Sequence, residues 1–163
     1  MKMIKVEEIV EKYKGYEVDE EKLKEFLIPP KPKTVRDLKK DARYYYIDIS
    51  GSVYCDIWQD DDIDNGRRNI GNCFLTEEEA EFEVERRKIE AILLKYGRRE
   101  FKHDEKNYQL SYVYDEYRID IDGYAIYQNQ GGIFFDTEEL CQKAVEEAGE
   151  DNIKKYIFGV DAK

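Results

Sequence analysis

The stretch that decides the fold is GNCFLTEE at residues 71–78, because the chain nearly repeats it as GIFFDTEE at residues 132–139. In each copy a short apolar run meets Thr-Glu-Glu and then a stretch with helical spacing of apolar residues. Alternating, tyrosine-rich stretches precede both copies. The repeat predicts an α+β fold with two antiparallel β-sheet units, each followed by a helix, and an N-terminal helical extension.

Three segments follow from this repeat. We expect an N-terminal helical extension and Pro-rich link at residues 1–40, a first unit at 41–100 and a second at 101–163. In the extension, apolar spacing predicts a helix that ends at Gly15 and a second helix over residues 19–27. The prolines at residues 29–32 predict an extended link, and Thr34 is expected to cap a helical turn that runs through Lys40.

The strands are predicted from alternation of apolar and polar residues. In the first unit they cover residues 44–49 and 53–58 around a Ser-Gly-Ser turn, then 70–75, with a polar, acidic loop at 59–68. In the second unit they cover residues 109–114, 117–121, 124–128 and 133–135, with a hairpin turn at Asp122-Gly123.

Two helices follow the repeated junctions. Thr76 and Glu79 form a predicted capping box for a helix that continues to about Tyr96 and ends at Gly97. This helix is apolar on two faces; one carries Ala80, Val84, Ala91 and Leu94, and the other carries Phe82, Ile89, Ile92 and Tyr96. The second face needs a partner, which is the second unit, the N-terminal helices or another chain.

The C-terminal helix is predicted from Thr137 through Ala148, with Gly149 as its stop. A last turn after Asp151 is expected to bury Ile153, Ile157 and Phe158.

Charge is unevenly distributed over the chain, whose formal net charge is −11. Residues 1–40 contain 11 Lys/Arg against 9 Asp/Glu, whereas residues 41–163 contain 16 against 29. Twelve of the acids lie in residues 48–85. Such a surface repels nucleic acid and attracts basic proteins. No apolar run is long enough to span a membrane and the N-terminus lacks a signal-peptide apolar region, so we expect a cytoplasmic protein without bound cofactors.

Reactive groups are few. The 3 cysteines are far apart and are expected to pack as small hydrophobes, although with His103 they number four formal zinc ligands. His103 is the single histidine and lies in a charged stretch, which argues against a catalytic triad. Asp60, Asp62 and Asp64 match the first positions of a calcium loop, but residue 65 is Asn and residue 71 is Gly, so a solvated acidic loop is favoured.

The strand aromatics admit two interpretations. Tyr44, Tyr45, Tyr46, Tyr54 and Trp58 lie on paired strands, so some of them are expected to face away from the core. Outward aromatics ringed by acids are typical of a protein-binding patch. The alternative is a set of ordinary cross-strand tyrosine pairs.

The chain resembles a family of small acidic proteins from phages, prophages and other mobile elements of Gram-positive bacteria. The similarity rests on TVRDLKK at residues 34–40, the tyrosines that follow, RRNIGN at 67–72, FLTEEEAE at 74–81 and KYIFGV at 155–160. Arg36 departs from the pattern, since an aromatic residue is expected there. The resemblance implies an accessory protein of a mobile element, a group whose members often inhibit host defence nucleases, including as anti-CRISPR proteins.

We therefore expect a non-enzymatic inhibitor of a host nucleic-acid-binding protein, with Cas9-like nucleases first, whose acidic surface occupies the nucleic-acid channel as a DNA mimic. The expected partner-binding residues are Asp56, Trp58, Asp60, Asp61, Asp62, Asp64, Glu79 and Glu83. The four aspartates of the predicted loop are expected to be replaceable by lysine without loss of the fold. The alternative is a phage assembly or replication module that acts through homo- or hetero-oligomerisation, for example a homodimer; an enzyme is the third class.

Overall fold

A computed structural model describes residues 6–17, 31–123 and 131–160. The chain divides into two units, Met1–Lys33 and Thr34–Lys163. In the first unit, α1 (Val6–Lys12) is followed by a turn at Gly15, whose φ of 94° favours glycine. The predicted helix at 19–27 and the first two prolines of the link lie outside the described residues.

The second unit, Thr34–Lys163, contains both halves of the repeat in one compact body. Thr34 and Asp37 form a complete capping box, but the 3₁₀ turn that they cap covers Val35–Asp37 and does not continue to Lys40 as predicted. The elements that follow are β1 (Arg43–Ile47), β2 (Val53–Ile57), α2 (Asp62–Asn69), α3 (Glu77–Tyr96), β3 (Gln109–Val113), β4 (Arg118–Asp122), α4 (Glu138–Ala148) and α5 (Glu150–Tyr156). The α+β prediction is confirmed.

The first sheet is an antiparallel pair of β1 and β2, in which Tyr45 lies opposite Cys55. On its other side β1 meets Phe74, whose N–H and C=O both bond to Tyr45 at 2.9 Å. The amide side chain of Asn72 then bonds to both the N–H and the C=O of Ile47, as a third strand would. The predicted strand at 70–75 is therefore a single bridge, because side-chain atoms replace backbone pairing and Gly71 turns the chain with a φ of 73°.

The second sheet repeats this arrangement with β3 and β4. Tyr108 pairs with Phe135, and Arg98 pairs with Phe134. The predicted strand at 133–135 thus becomes two bridges. The hairpin turn lies at residues 114–117, between β3 and β4. The strand predicted at 124–128, which the turn at Asp122-Gly123 was expected to precede, lies outside the described residues.

Both repeated threonines open helices, as predicted. Thr76 accepts a hydrogen bond from the Glu79 N–H at 3.2 Å, and Thr137 accepts one from the Leu140 N–H at 3.3 Å. The reciprocal bond of the first cap differs from the prediction, because Glu79 accepts from the N–H of Leu75 rather than from Thr76. The helices α3 and α4 end where expected, at Gly97 and Gly149.

The two faces of α3 serve both halves of the repeat. Its N-terminal part packs against the first sheet and buries Ala80 completely. Its C-terminal part places Ile89 and Leu93 in a core with Phe135 and with α4 and α5. The second half of the repeat therefore covers the second apolar face. Ala91, which was expected to pack, is exposed, whereas Phe82 is 39% exposed and its ring centroid lies 5.1 Å from that of Tyr156.

The predictions of burial for individual residues are confirmed in part. Cys73 and Cys141 are buried, but Cys55 is exposed, so the expectation that all three cysteines are buried is wrong for that one. In α5 and the turn after it, Ile153 is fully buried while Ile157 and Phe158 are half-buried. Within the described part of the chain, no helix combines the length and the apolar character that crossing a membrane requires.

Candidate functional site: the outward face of α2

The acidic segment after the first sheet is a helix, and its prediction as a loop is wrong. Asp61 has an extended backbone and its side chain accepts from the N–H groups of Ile63 and Asp64, both at 2.9 Å. Aspartates in the first turn and arginines in the last turn also suit the helix dipole. Capping and charge placement therefore stabilise α2, which has no apolar stripe on its buried side.

The inward face of α2 is polar and begins with Asp64, which is only 3% exposed. One of its carboxylate oxygens accepts from the Tyr44 hydroxyl at 2.6 Å. The other accepts from the backbone N–H groups of Gln59 and Asp60 at 2.6 and 3.0 Å. Burial alone would raise the pKa of Asp64, but these donors outweigh it and hold the pKa below its ordinary value of 3.8.

Arg67 and Arg68 extend this inward face. One guanidinium nitrogen of Arg67 donates to the Tyr44 hydroxyl at 2.6 Å and to Asp56 at 2.8 Å, and the group lies 3.4 Å from the ring centroid of Tyr46. The hydrogen bond from Arg67 is the main cause of the lowered pKa of Asp56. Arg68 lies 4.6 Å from the ring centroid of Trp58. Burial of Tyr44, with its bond to Asp64, raises the pKa of its hydroxyl.

The outward face of α2 carries two exposed isoleucines beside the exposed polar residues Asp62 and Asn69. Ile63 is 63% exposed and Ile70, which follows the last helical residue, is 77% exposed. Gly66 lies between them and is also exposed, and a Cβ added there would meet no atom within 4 Å. The spacing of three and then four residues places all three on one side of the helix. We call Ile63, Gly66 and Ile70 the α2 stripe; its N-terminal end carries the exposed acids Asp60, Asp61 and Asp62.

The residues that the sequence predicted to bind a partner fall into three groups: exposed, buried and engaged in local bonds. Asp60, Asp61 and Asp62 are exposed at the beginning of α2, although Asp61 also caps the helix. Asp64 and Trp58 are buried at 3% and 1% exposure, so the expectation that they face a partner is wrong. Trp58 packs edge-on against Tyr44, on the face of the sheet where Tyr44 and Tyr46 contact α2.

The remaining predicted site residues are engaged in local bonds. Asp56 is half-buried in its ion pair with Arg67. Glu79 accepts from the Leu75 N–H at 3.0 Å. Glu83 binds Arg86 at 2.6 Å and Arg87 at 2.8 Å, and the bond from Arg86 is the first cause of its lowered pKa. The same geometry overturns the expectation that four aspartates are replaceable by lysine, because Asp61 and Asp64 build the helix.

The structure places the groups that were considered for calcium, zinc and catalytic chemistry. Asp64 does not face a calcium loop with Asp60 and Asp62, since its carboxylate is buried inside the fold and theirs are exposed. Within residues 6–17, 31–123 and 131–160, no three His, Cys, Asp or Glu side chains group to hold a metal. The His103 side chain is 88% exposed.

A second acidic surface is a groove of about 590 Å³ between the turn of the first hairpin, α3 and α5. Its rim carries Glu77, Glu78, Glu81 and Glu85, and its apolar lining includes Phe82. The acids of α3 and those of α2 therefore form two separate acidic features.

Neither a protein-family model, nor a curated protein, nor a solved structure matches this chain.

Sequence reasoning missed the residues that build the site, namely Tyr44, Arg67 and Arg68 inside and the α2 stripe outside. A search for apolar periodicity fails here, because the buried face of α2 is charged. The available signal was the cap: an aspartate at residue 61, acids in the next turn, two arginines and then Gly71 follow the order of a helix.

Proposed function

We propose that the protein is a non-enzymatic inhibitor that docks α2 on a basic, nucleic-acid-binding surface of a host protein. Because the sequence resembles mobile-element proteins, the first candidate partner is a host defence nuclease of the CRISPR effector type, as for an anti-CRISPR protein. The partner's nucleic-acid channel is then occupied by protein.

The observation that carries the proposal is the inverted polarity of α2. A surface helix normally buries its apolar face and exposes its charges. Here Asp64, Arg67 and Arg68 face the fold, while Ile63 and Ile70 face solvent. Solvating two isoleucines brings the free chain no advantage, whereas burying them against a partner contributes to binding.

Gly66 supports the same conclusion. Glycine within a helix costs about 1 kcal/mol relative to alanine. Its φ is helical and the space around its Cα is open, so nothing within the described chain requires glycine at this position. A partner whose surface comes close to the helix between Ile63 and Ile70 does require it.

Electrostatics supply the specificity of the proposed contact. Asp60, Asp61 and Asp62 are exposed beside the α2 stripe, in a chain of net charge −11. Acids around an apolar stripe attract a cationic surface and speed its approach, and their contribution decreases as salt screens it. Nucleic-acid channels are cationic surfaces of this kind.

The experiment uses Gly66→Ala, with Asn69→Ala on the same helix as the matched control. Gly66→Ala should leave the fold intact or stabilise it, yet it should weaken binding about tenfold by placing a methyl group in the contact. Binding and DNA cleavage are measured with a purified Cas9-like nuclease loaded with its guide RNA. A stabilised Gly66→Ala variant that inhibits as well as the native chain would remove the α2 stripe from the mechanism; no inhibition by the native chain would remove this nuclease class.

A second candidate function is an assembly or replication module that acts through oligomerisation. The observation that favours it is the outer edge of β2, which pairs with no other strand among the described residues. Its binding should not weaken with salt, which separates it from docking on a basic surface.

A further inference from the structure

We propose that the outer edge of β2 pairs, antiparallel, with the same edge of a second copy of this chain, around a two-fold axis at Cys55. The result is a four-stranded sheet across two copies. This surface is distinct from the α2 stripe, and the inference does not depend on the proposed function.

The register shows which backbone groups of β2 point outward. Tyr45 lies opposite Cys55, and both backbone groups of Tyr45 bond to Phe74 on the far side of β1. Opposed residues of an antiparallel pair either bond each other or both point away. The N–H and C=O of Cys55 therefore point away from β1, and the same alternation directs those of Val53 and Ile57 outward.

This edge is open. Cys55 is exposed, Tyr54 is 49% exposed and Ile57 is 47% exposed. The sheet has two strands, and among the described residues β1 alone pairs with β2. Natural edge strands usually carry lysine, proline or a bulge that prevents pairing. β2 has none of these, and its one charge, Asp56, is neutralised by Arg67 at 2.8 Å.

The arrangement of the outward residues favours a second copy over an unrelated strand. Val53, Cys55 and Ile57 are symmetric about Cys55, so a two-fold axis there places Cys55 opposite itself and Val53 opposite Ile57 twice. Pairs of β-branched residues are favourable across strands. Within β2 itself, this pairing also places no unpaired like charges opposite each other.

The number of new hydrogen bonds can be derived from this register. Three outward residues on each strand supply six bonds. Two of them need the Ile57 N–H, which already donates to the Asp56 carboxylate at 2.8 Å. The other four form without disturbing any bond of the free chain. A contact of four to six backbone hydrogen bonds predicts a weak, reversible dimer rather than an obligate one.

Net charge gives the dimer a salt dependence of its own. Each copy carries −11, so the copies repel each other at low ionic strength. Salt screens this repulsion and should strengthen the dimer, whereas it weakens docking on a cationic partner. The two kinds of association are therefore distinguishable in one titration.

The test is sedimentation equilibrium of the full chain at about 0.05 and 0.5 M salt, on either side of the ionic strength at which the Debye length is near 8 Å. Cys55→Pro removes the outward N–H and leaves the bonds to β1 intact. Edge strands tolerate proline at positions whose N–H faces solvent. Cys55→Ser retains the N–H and is the matched control. We expect reversible dimerisation that salt strengthens, native behaviour for Cys55→Ser, and roughly tenfold or greater weakening for Cys55→Pro, since two symmetric bonds are lost.

Hydrogen exchange keeps the proposal testable if Cys55→Pro does not fold. The Cys55 amide should exchange rapidly in dilute protein and gain protection as concentration rises, while the Tyr54 amide, bonded to β1, is protected throughout. A monomer at every concentration and salt would overturn the proposal. A dimer in which Cys55→Pro dimerises normally, or in which the Cys55 amide gains no protection, would overturn it as well.

Discussion

The substitution Asp64→Asn removes a buried charge and leaves the shape of the side chain unchanged. The carboxylate accepts three hydrogen bonds, from the Tyr44 hydroxyl and from the N–H groups of Gln59 and Asp60, at 2.6–3.0 Å. An amide has a single oxygen, so in either orientation its NH₂ faces a group that donated to the carboxylate. Losing one charge-assisted bond costs about 1.5–3 kcal/mol, and an unsatisfied buried donor adds to that. We expect the free energy of unfolding to decrease by about 3 kcal/mol.

Urea unfolding followed by the fluorescence of Trp58 measures this loss, because the chain has 1 tryptophan and it packs against Tyr44. With a slope of about 2 kcal/mol per molar urea, the midpoint should decrease by about 1.5 M at unchanged slope. The control is Asp62→Asn, an exposed acid of the same helix, with an expected change within about 0.5 kcal/mol. Equal midpoints for the two variants would show that the inward polar face of α2 does not hold the helix.

Three further outcomes are expected. The pKa of Asp64 is lowered from 3.8, so its contribution to stability is complete above that pH and is lost as the pH falls below it; acid unfolding of Asp64→Asn should therefore show a weaker pH dependence. Cys55 should react quickly with an aromatic disulfide reagent, whereas burial raises the pKa of Cys73 to about 11 and of Cys141 to about 12, so that these two should react only in urea. Thr137→Ala should cost about 1 kcal/mol in urea unfolding and Thr137→Ser much less, since serine retains the cap.

The repeated junctions were predictable because their signals are local. A threonine followed by glutamates specifies a cap within one turn, and Thr76 and Thr137 open helices whatever surrounds them. The strands β1 to β4 were predictable for the same reason, since alternation is a property of adjacent residues. Local patterns also predicted strands at 70–75 and 133–135, but they did not show that Phe74 and Phe135 pair there through isolated bridges. Those bridges depend on where the chain returns to the sheet after a loop, which adjacent residues do not specify.

The partner of the second face of α3 illustrates a limit of another kind. The sequence shows that the face with Ile89 and Ile92 needs cover, and it leaves several candidates open. The structure supplies Phe135 and Cys141, which lie more than forty residues further along the chain. Non-local packing of this kind depends on the whole fold. A helix with two apolar faces therefore predicts that both faces are buried, but it does not predict which residues bury them.

The helix α2 shows why the candidate site was the part of the chain least accessible to prediction. Periodicity methods assume that the buried face is the apolar one, and here Asp64 and Arg67 are inside while Ile63 and Ile70 are outside. A polar buried face is stable only if every donor and acceptor is matched, and in the described residues every buried side-chain nitrogen and oxygen has a partner. The charged side chains of this helix are thus used inside the fold. Ile63 and Ile70 are left exposed to solvent, and we propose that a partner buries them.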